Sequence, residues 1–139
     1  MGNKYTKPLT ETTPFTPTKE FNDMLFAEVG GGSPDEVAAV ASVYMNLVNK
    51  LGYEKAMKRS AAYNKKSPQY QKASTGDMNG FEKIIYMRNQ GIINNLSKNP
   101  EQILPYDHHE NINAFGEPSW ASSMKEYKDI GRQRFYRSE

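Results

Sequence analysis

Residues 33–51 of the chain, SPDEVAAVASVYMNLVNKL, have the pattern of a long amphipathic helix. Ser33 is a favourable N-cap, Pro34 suits the first helical position, and Glu36 stands where it would close a capping box. The apolar positions then recur every three or four residues up to Gly52, as one buried face of a helix requires. This face consists of Val37, Val40, Ala41, Tyr44, Leu47, Val48 and Leu51. The sequence therefore predicts a helix that packs one side against the rest of the domain.

A shorter helical pattern comes before this one and ends at three consecutive glycines, residues 30–32. From Thr18 onward, one stripe of this helix carries Phe21, Met24, Leu25 and Glu28. Glu28 is unexpected in such a stripe, because charged side chains are rarely placed on a buried face. The last turn of a helix is also unfavourable for an anion, since the helix dipole is negative at that end.

The position of Glu28 indicates a chemical role. Burial and the helix dipole both favour the neutral carboxylic acid, and general-acid catalysis needs an acid that keeps its proton near neutral pH. The glycines after it allow a ligand and the backbone to approach this side chain closely. The alternative is a helix that frays at Ala27, with Glu28 turned towards water.

The rest of the chain predicts a mainly helical domain with at most a small β-sheet, because strand signals are few. Shorter helices are predicted over 54–59 and 81–96, the second with a buried side formed by Phe81, Ile84, Ile85, Ile92 and Leu96. A last helix is predicted over 120–127. Phe135 and Tyr136 are predicted to be a final packed pair.

Composition limits the possible classes of protein. The length of 139 residues fits one domain, and the 12% of aromatic residues can build a core although only 37% of the residues are hydrophobic. A net charge of +2 gives no strong field for nucleic acid. The absence of cysteine excludes disulfides, thiolate zinc sites and a cysteine nucleophile. We find no apolar run long enough to cross a bilayer, so no membrane span is predicted.

The N-terminus differs in composition from the rest of the chain. Residues 6–18 contain six Thr and three Pro, which disfavour a helix, so residues 1–18 are predicted to be an extended arm and residues 19–139 the domain. The arm is interpreted either as a tether to a larger assembly or as a tail draped over the domain. The start of the chain has no apolar segment of a secretory signal.

Two groups of motifs resemble a known family. Residues 26–41, FAEVGGGSPDEVAAVA, are followed by Asn46-Leu47-Val48, and the chain closes with Pro118-x-Trp120 and Ile130-Gly131-x-x-x-Phe135-Tyr136. In order and spacing these motifs resemble the SleB/CwlJ-type cell wall hydrolases, which are spore-cortex-lytic enzymes with phage relatives. The two ends bracket about 110 residues. The chain departs from the family pattern at Gly32, where a second acidic residue is usual, at Leu47, where arginine is usual, and by lacking a histidine between Gly131 and Phe135.

The resemblance implies a compact α+β lysozyme-like fold and cleavage of the β-1,4 bond between N-acetylmuramic acid and N-acetylglucosamine in peptidoglycan. The catalytic role of the family's first motif falls on Glu28, with no cofactor. A lytic transglycosylase needs one acid/base, because the C6 hydroxyl of the muramoyl residue is its own nucleophile. A hydrolase normally needs two carboxylates about 5 to 9 Å apart, for which Asp77, Glu110 and Glu117 remain candidates.

Other residues are candidates for binding the glycan. Aromatic rings stack on sugar faces and amides bind hydroxyl and N-acetyl groups, so the substrate-binding candidates are Tyr63, Asn64, Tyr70, Tyr106, His109 and Asn111. The alternative for Tyr63, Asn64 and Tyr70 is a surface loop that the two tyrosines anchor to the domain. Trp120 is predicted to pack in the core. The run Asp107-His108-His109-Glu110 lacks helix-spaced histidines, so no metal site is predicted.

A basic segment and the cellular setting complete the sequence-based hypothesis. Residues 50–72 hold seven cations and one acidic residue, Glu54. These cations would concentrate the protein on an anionic wall or form a solvated helix face, and nucleic-acid binding is the third interpretation.

An enzyme with no signal that acts on the bacterial wall or in the periplasm is expected to be a phage product. It would be an endolysin held in the host cytoplasm before release, or a virion component whose arm contacts other virion proteins. The alternative is a non-catalytic virion structural or wall-binding protein.

Overall fold

The computed structural model describes residues 15–138, which form seven helices and three strands. The helices are α1 (Lys19–Val29), α2 (Pro34–Leu51), α3 (Tyr53–Met57), α4 (Ala61–Lys65), α5 (Pro68–Thr75), α6 (Gly80–Lys98) and α7 (Ile112–Phe115). The strands are β1 (His108–Glu110), β2 (Glu126–Ile130) and β3 (Gln133–Arg137), with 3-10 turns at Pro100–Gln102 and Ser119–Ser123. The fold is mainly helical with a small sheet, which confirms the predicted fold class.

Helix α2 forms where its local signals place it. Ser33 accepts a hydrogen bond from the backbone N–H of Glu36 at 3.2 Å, Pro34 is the first helical residue, and Gly52 follows the last turn. Its residues from Ala39 to Leu47 are buried and form the centre of the core. The predicted capping box is wrong in one respect. The side chain of Glu36 is bonded to Gln133 instead, because β3 brings an amide donor to it across the domain.

The three strands form an antiparallel sheet in the order β1-β3-β2. His109 pairs with Phe135, and Phe135 pairs in turn with Lys128, so β3 is central and both of its aromatic residues, Phe135 and Tyr136, are buried as predicted. The helix predicted over 120–127 is wrong. Its second half leads into β2, because pairing with β3 supplies the backbone hydrogen bonds that a helix would otherwise make.

Helix α6 is present, but part of its predicted buried side is not buried. Asn89, Ile93 and Leu96 face the core, whereas Phe81 and Ile84 are 72% and 67% exposed. The first turn therefore extends beyond the core, and a capping box closed by Asn79 and Glu82 stabilises it locally.

The end of the predicted arm lies against the domain. The ring of Phe15 packs on Phe21 at 4.7 Å, its carbonyl accepts from Ser97 at 2.7 Å, and Thr18 caps α1. The rest of the arm, residues 1–14, lies outside the described residues, as does residue 139. Within residues 15–138, no helix has the length and apolar character that crossing a membrane requires.

Candidate active site

Glu28 lies in the last turn of α1, as the sequence predicts. The helix ends at Gly30, whose φ of 41° suits glycine and whose N–H donates to the carbonyl of Phe26 at 2.9 Å. The side chain of Glu28 is 15% exposed. The side chain is therefore largely withdrawn from solvent, and the alternative of a frayed, solvated end is not observed.

Two hydroxyl groups lie against the carboxyl group of Glu28. The Oγ of buried Ser60 donates to Glu28 Oε2 at 2.6 Å, and Ser60 is also the N-cap of α4, accepting from the N–H of Tyr63 at 3.2 Å. Capping therefore fixes the orientation of the hydroxyl. Tyr44 of α2 interacts with both Ser60 and Glu28. Burial, and then the charge of Glu28, raise the pKa of the Tyr44 hydroxyl, so Tyr44 stays protonated.

His109 of β1 faces the other oxygen of Glu28. Its Nε2 lies 3.7 Å from Glu28 Oε1, which is longer than a hydrogen bond but within the range of a direct electrostatic interaction. The ring lies 5.9 Å from the rings of both Tyr44 and Phe135. His109 pairs with Phe135 across the sheet, and Gln133 lies two residues before Phe135, so all three side chains share the inward face.

A line of polar contacts continues inward from His109. Its Nδ1 is hydrogen-bonded to Gln133 Oε1, and Gln133 Nε2 donates to Glu36 Oε2 at 3.1 Å. The backbone N–H of Arg132 donates to the other oxygen of Glu36 at 3.4 Å. A second buried carboxylate is thus joined to the Glu28 site through two side chains.

A depression of about 180 Å³ adjoins the site. Tyr44 and His109, which contact Glu28, are in its wall, together with Arg59, His108 and Trp120. Trp120 is half-buried between His108 and Tyr136, with ring centres 5.0 and 4.9 Å away, and it lies in the wall of the depression. The prediction that Trp120 packs in the core is therefore wrong. Aromatic and polar groups next to a held carboxyl group are suited to binding a sugar ring.

The structure brings one of the six substrate-binding candidates to Glu28 by side-chain contact, and this is His109. Tyr63 reaches the site through its backbone N–H to Ser60, while its ring packs edge-on against Tyr70 at 5.7 Å under the ammonium group of Lys66. Asn64 bonds through its side-chain amide to the carbonyl of Lys58, away from Glu28.

The remaining candidates have structural contacts. Tyr70 and Tyr106 are buried in the core, where Tyr106 packs on Phe135 at 6.2 Å. Asn111 caps α7 by accepting from the N–H of Ala114 at 3.1 Å.

The carboxylates proposed as partners for a hydrolase lie elsewhere. Asp77 is exposed in the loop before α6. Glu117 pairs with Arg134 at 3.5 Å. Glu110 follows His109 on β1, so its side chain leaves the opposite face of the sheet. Among residues 15–138, no cluster of three His, Asp or Glu side chains is arranged to hold a metal ion.

The basic segment over 50–72 is partly neutralised by neighbouring acids. Lys50 pairs with Asp107 at 3.2 Å, Lys58 with Glu54 at 3.4 Å, and Lys72 with Glu82 at 3.2 Å. Arg59 is the member of this segment that lines the depression beside the site. Fewer cations of this segment are therefore available to bind an anionic cell wall than the sequence alone indicates.

Sequence reasoning misses Ser60, Tyr44, Glu36 and Gln133 as site residues. Ser60 has a detectable signal, since a serine before a short helical segment is a typical N-cap. The sequence assigns Tyr44 to the apolar face and Glu36 to a cap, so their second roles have no local signal. Comparison of the chain with family models, curated proteins and solved structures found no match, so the functional proposal depends on this geometry and on the motifs.

Proposed function

We propose that this protein cleaves the β-1,4 bond between N-acetylmuramic acid and N-acetylglucosamine in peptidoglycan, as a lytic transglycosylase with Glu28 as acid/base. The observation that carries the proposal is the carboxyl group of Glu28. It is oriented by Ser60, faced by His109, largely withdrawn from solvent, and next to a depression lined by Trp120 and Tyr44. The motif resemblance is independent support from the sequence.

The proposed reaction uses one carboxyl group twice. Glu28 first donates its proton to the glycosidic oxygen, and the bond from that oxygen to C1 of the muramoyl residue breaks. The Glu28 carboxylate then accepts the proton of the C6 hydroxyl of the same residue as O6 forms a bond to C1. The product is a 1,6-anhydro sugar, and Glu28 ends in its starting protonation state.

The placement of the other carboxylates favours this mechanism over hydrolysis. A hydrolysing pair would have to face the scissile bond together. Asp77, Glu110 and Glu117 are directed to solvent, to the opposite face of the sheet and to Arg134. Glu36 is buried behind Gln133 and His109, which separate it from Glu28.

The setting we propose follows from the substrate. An enzyme of this type acts at the bacterial cell wall, either as a phage endolysin or as a virion-associated lysin. The rival proposal is a wall-binding or virion structural protein with no activity. It would explain a depression that binds glycan, but it would not explain why Ser60 orients Glu28.

The test compares Glu28→Gln with the wild type in a turbidity assay on purified sacculi. Loss of the acid is expected to reduce the rate by about 10²–10⁴-fold. Glu54→Gln is the matched control, because Glu54 is exposed and pairs with Lys58 outside the site. Equal clearing by Glu28→Gln and wild type would remove Glu28 from the mechanism. No clearing by any of the three proteins would favour the non-catalytic rival.

Mass spectrometry of the released fragments decides the reaction type. A transglycosylase releases 1,6-anhydro ends, and a hydrolase releases reducing ends. Reducing ends from the wild-type protein would show that water, not the C6 hydroxyl, is the nucleophile.

A further inference from the structure

Glu36 is a buried carboxylate that packs against two glycines, where a larger residue would collide with it. Its side chain lies within van der Waals reach of Gly32 and Gly131: a Cβ at Gly131 would overlap Glu36 Oε1, and one at Gly32 would lie 3.1 Å from Glu36 Cδ. Both oxygens accept a hydrogen bond, Oε1 from the N–H of Arg132 and Oε2 from the amide of Gln133. A side chain that the sequence assigns to a helix cap is therefore built into the interior next to the candidate site.

The charge of Glu36 determines which way the amide of Gln133 faces. An ionised carboxylate can only accept, so the NH2 group of Gln133 must face Glu36 and its oxygen must face His109. That oxygen can only accept as well, so Nδ1 of His109 must carry a hydrogen. In the neutral imidazole the lone pair is then on Nε2, the nitrogen that faces Glu28 at 3.7 Å.

We propose that His109 is a positioning residue whose neutral Nδ1–H tautomer is fixed by Gln133 and Glu36, so that an acceptor nitrogen, and not an N–H, faces Glu28. For its catalytic consequence this inference rests on the proposed function; the tautomer itself does not depend on it.

The tautomer matters because of how Glu28 is bound. Its Oε2 already accepts from Ser60, so a proton on Glu28 sits on Oε1, the oxygen that faces His109. An N–H at Nε2 would donate to that oxygen and stabilise the ionised carboxylate. A lone pair at Nε2 cannot donate to that oxygen, and it can only accept a hydrogen bond from Oε1 when Oε1 carries the proton.

Other polar and charged groups lie near His109. From α1 and α2 these are Glu28 and Tyr44, and Arg59 lines the same depression before α4. On β1 and just before it, His108 and Asp107 bind each other at 2.9 Å. None of these contacts is with Nδ1, so the hydrogen on that nitrogen depends on Gln133.

The first test is nitrogen-15 NMR of the histidine side chains at about pH 8, above the usual titration range of histidine. The chain has two histidines, so His108→Gln assigns the two rings. We expect His109 as the Nδ1–H tautomer in the wild-type protein. The Nε2–H tautomer, which free histidine favours, would overturn the proposal without any substitution at the site.

The second test changes the charge of Glu36. In Glu36→Gln the single amide oxygen is held by the N–H of Arg132, so the new NH2 group faces Gln133 and turns its amide around. His109 is then expected to move to the Nε2–H tautomer, whereas the control Glu54→Gln leaves it unchanged. Retention of Nδ1–H in folded Glu36→Gln would show that Glu36 does not set the tautomer.

The activity arm separates this inference from the proposed function. If Glu28 is the acid, Glu36→Gln lowers the rate about tenfold or more at neutral pH. An unchanged rate in Glu36→Gln despite a changed tautomer would overturn the positioning role. Full lysis by Glu28→Gln with the expected tautomers would instead overturn the proposed function and leave the tautomer assignment standing.

Discussion

Glu28 and Asp107 are two carboxylates that each lie next to one histidine of β1. Asp107 has a fully buried side chain and binds Lys50 at 3.2 Å, His108 at 2.9 Å, and both the N–H and the hydroxyl of Ser138. Glu28 is 15% exposed, accepts one hydrogen bond from Ser60, and lies 3.7 Å from His109. The difference indicates that Asp107 is a compensated ion that holds the end of the described chain, whereas Glu28 is held by neutral hydroxyl groups next to a depression.

The largest effect on stability is expected at Asp107. Asp107→Asn removes the charge that Lys50 and Ser138 bind, and is expected to lower the free energy of unfolding by about 3 kcal/mol. Glu28→Gln is expected to lower it by less than about 1 kcal/mol, because its amide oxygen still accepts from Ser60. Urea denaturation of both variants measures the difference. Equal losses would mean that Glu28 is a structural ion like Asp107.

Gly131→Ala is expected to have the next largest effect and to lower the free energy of unfolding by about 2 kcal/mol. Gly131 has a φ of 61°, and its new Cβ would overlap the carboxylate of Glu36. Gly91→Ala is the matched control, because Gly91 lies inside α6 with nothing within 4 Å of its Cβ. In the control, the free energy of unfolding is expected to rise by about 0.5–1 kcal/mol, because alanine has a higher helix propensity than glycine. Thermal denaturation compares them, and a neutral Gly131→Ala would show that Glu36 moves aside freely.

Ser60→Ala removes the N-cap of α4 and is expected to lower the free energy of unfolding by about 1 kcal/mol. The same substitution is expected to lower the lytic rate. Ser67 is the control, because it caps α5 by accepting from the N–H of Tyr70 at 3.1 Å, whereas Ser60 is the cap that also bonds to Glu28. Ser67→Ala should lose similar stability and keep its lytic rate. If both variants lose the same activity, the Ser60–Glu28 hydrogen bond has no catalytic role.

The smallest effect is expected at Tyr44 and is confined to alkaline pH. Burial raises the pKa of its hydroxyl in the folded protein, while the unfolded chain ionises near the usual value of about 10. Its contribution to stability is therefore complete below about pH 10 and declines above it. Urea midpoints measured across this range should fall less steeply for Tyr44→Phe than for wild type. Tyr127→Phe is the control, because it makes the same substitution at an exposed tyrosine.

The sequence predicts the first half of the fold better than the second. Helices α1 and α2 begin and end where the sequence predicts, because Thr18, Ser33 and Gly52 act on residues at most four positions away. The start of β2 is predicted as helix, because its pairing partner β3 is outside the reach of local signals. Phe81 and Ile84 are predicted in the core because periodicity shows which residues share a face and not how far the core extends.

The candidate site divides in the same way. Glu28 is identified from an acidic side chain in an apolar stripe, which is a local anomaly. The sequence identifies His109 only as one polar residue among several candidates. It does not identify Glu36 and Gln133 as site residues, because the feature that defines them is their contact with each other across the domain.

By itself the sequence determined the two leading helices, the mainly helical class, and an acid at the end of α1, because helix caps and apolar periodicity act within about one turn. The tertiary structure decided what surrounds that acid. Ser60 and Glu28 are separated by 32 residues, His109 and Gln133 by 24, and Gln133 and Glu36 by 97. Contacts over such separations exist only in the folded domain, so the fold sets the chemical surroundings of Glu28.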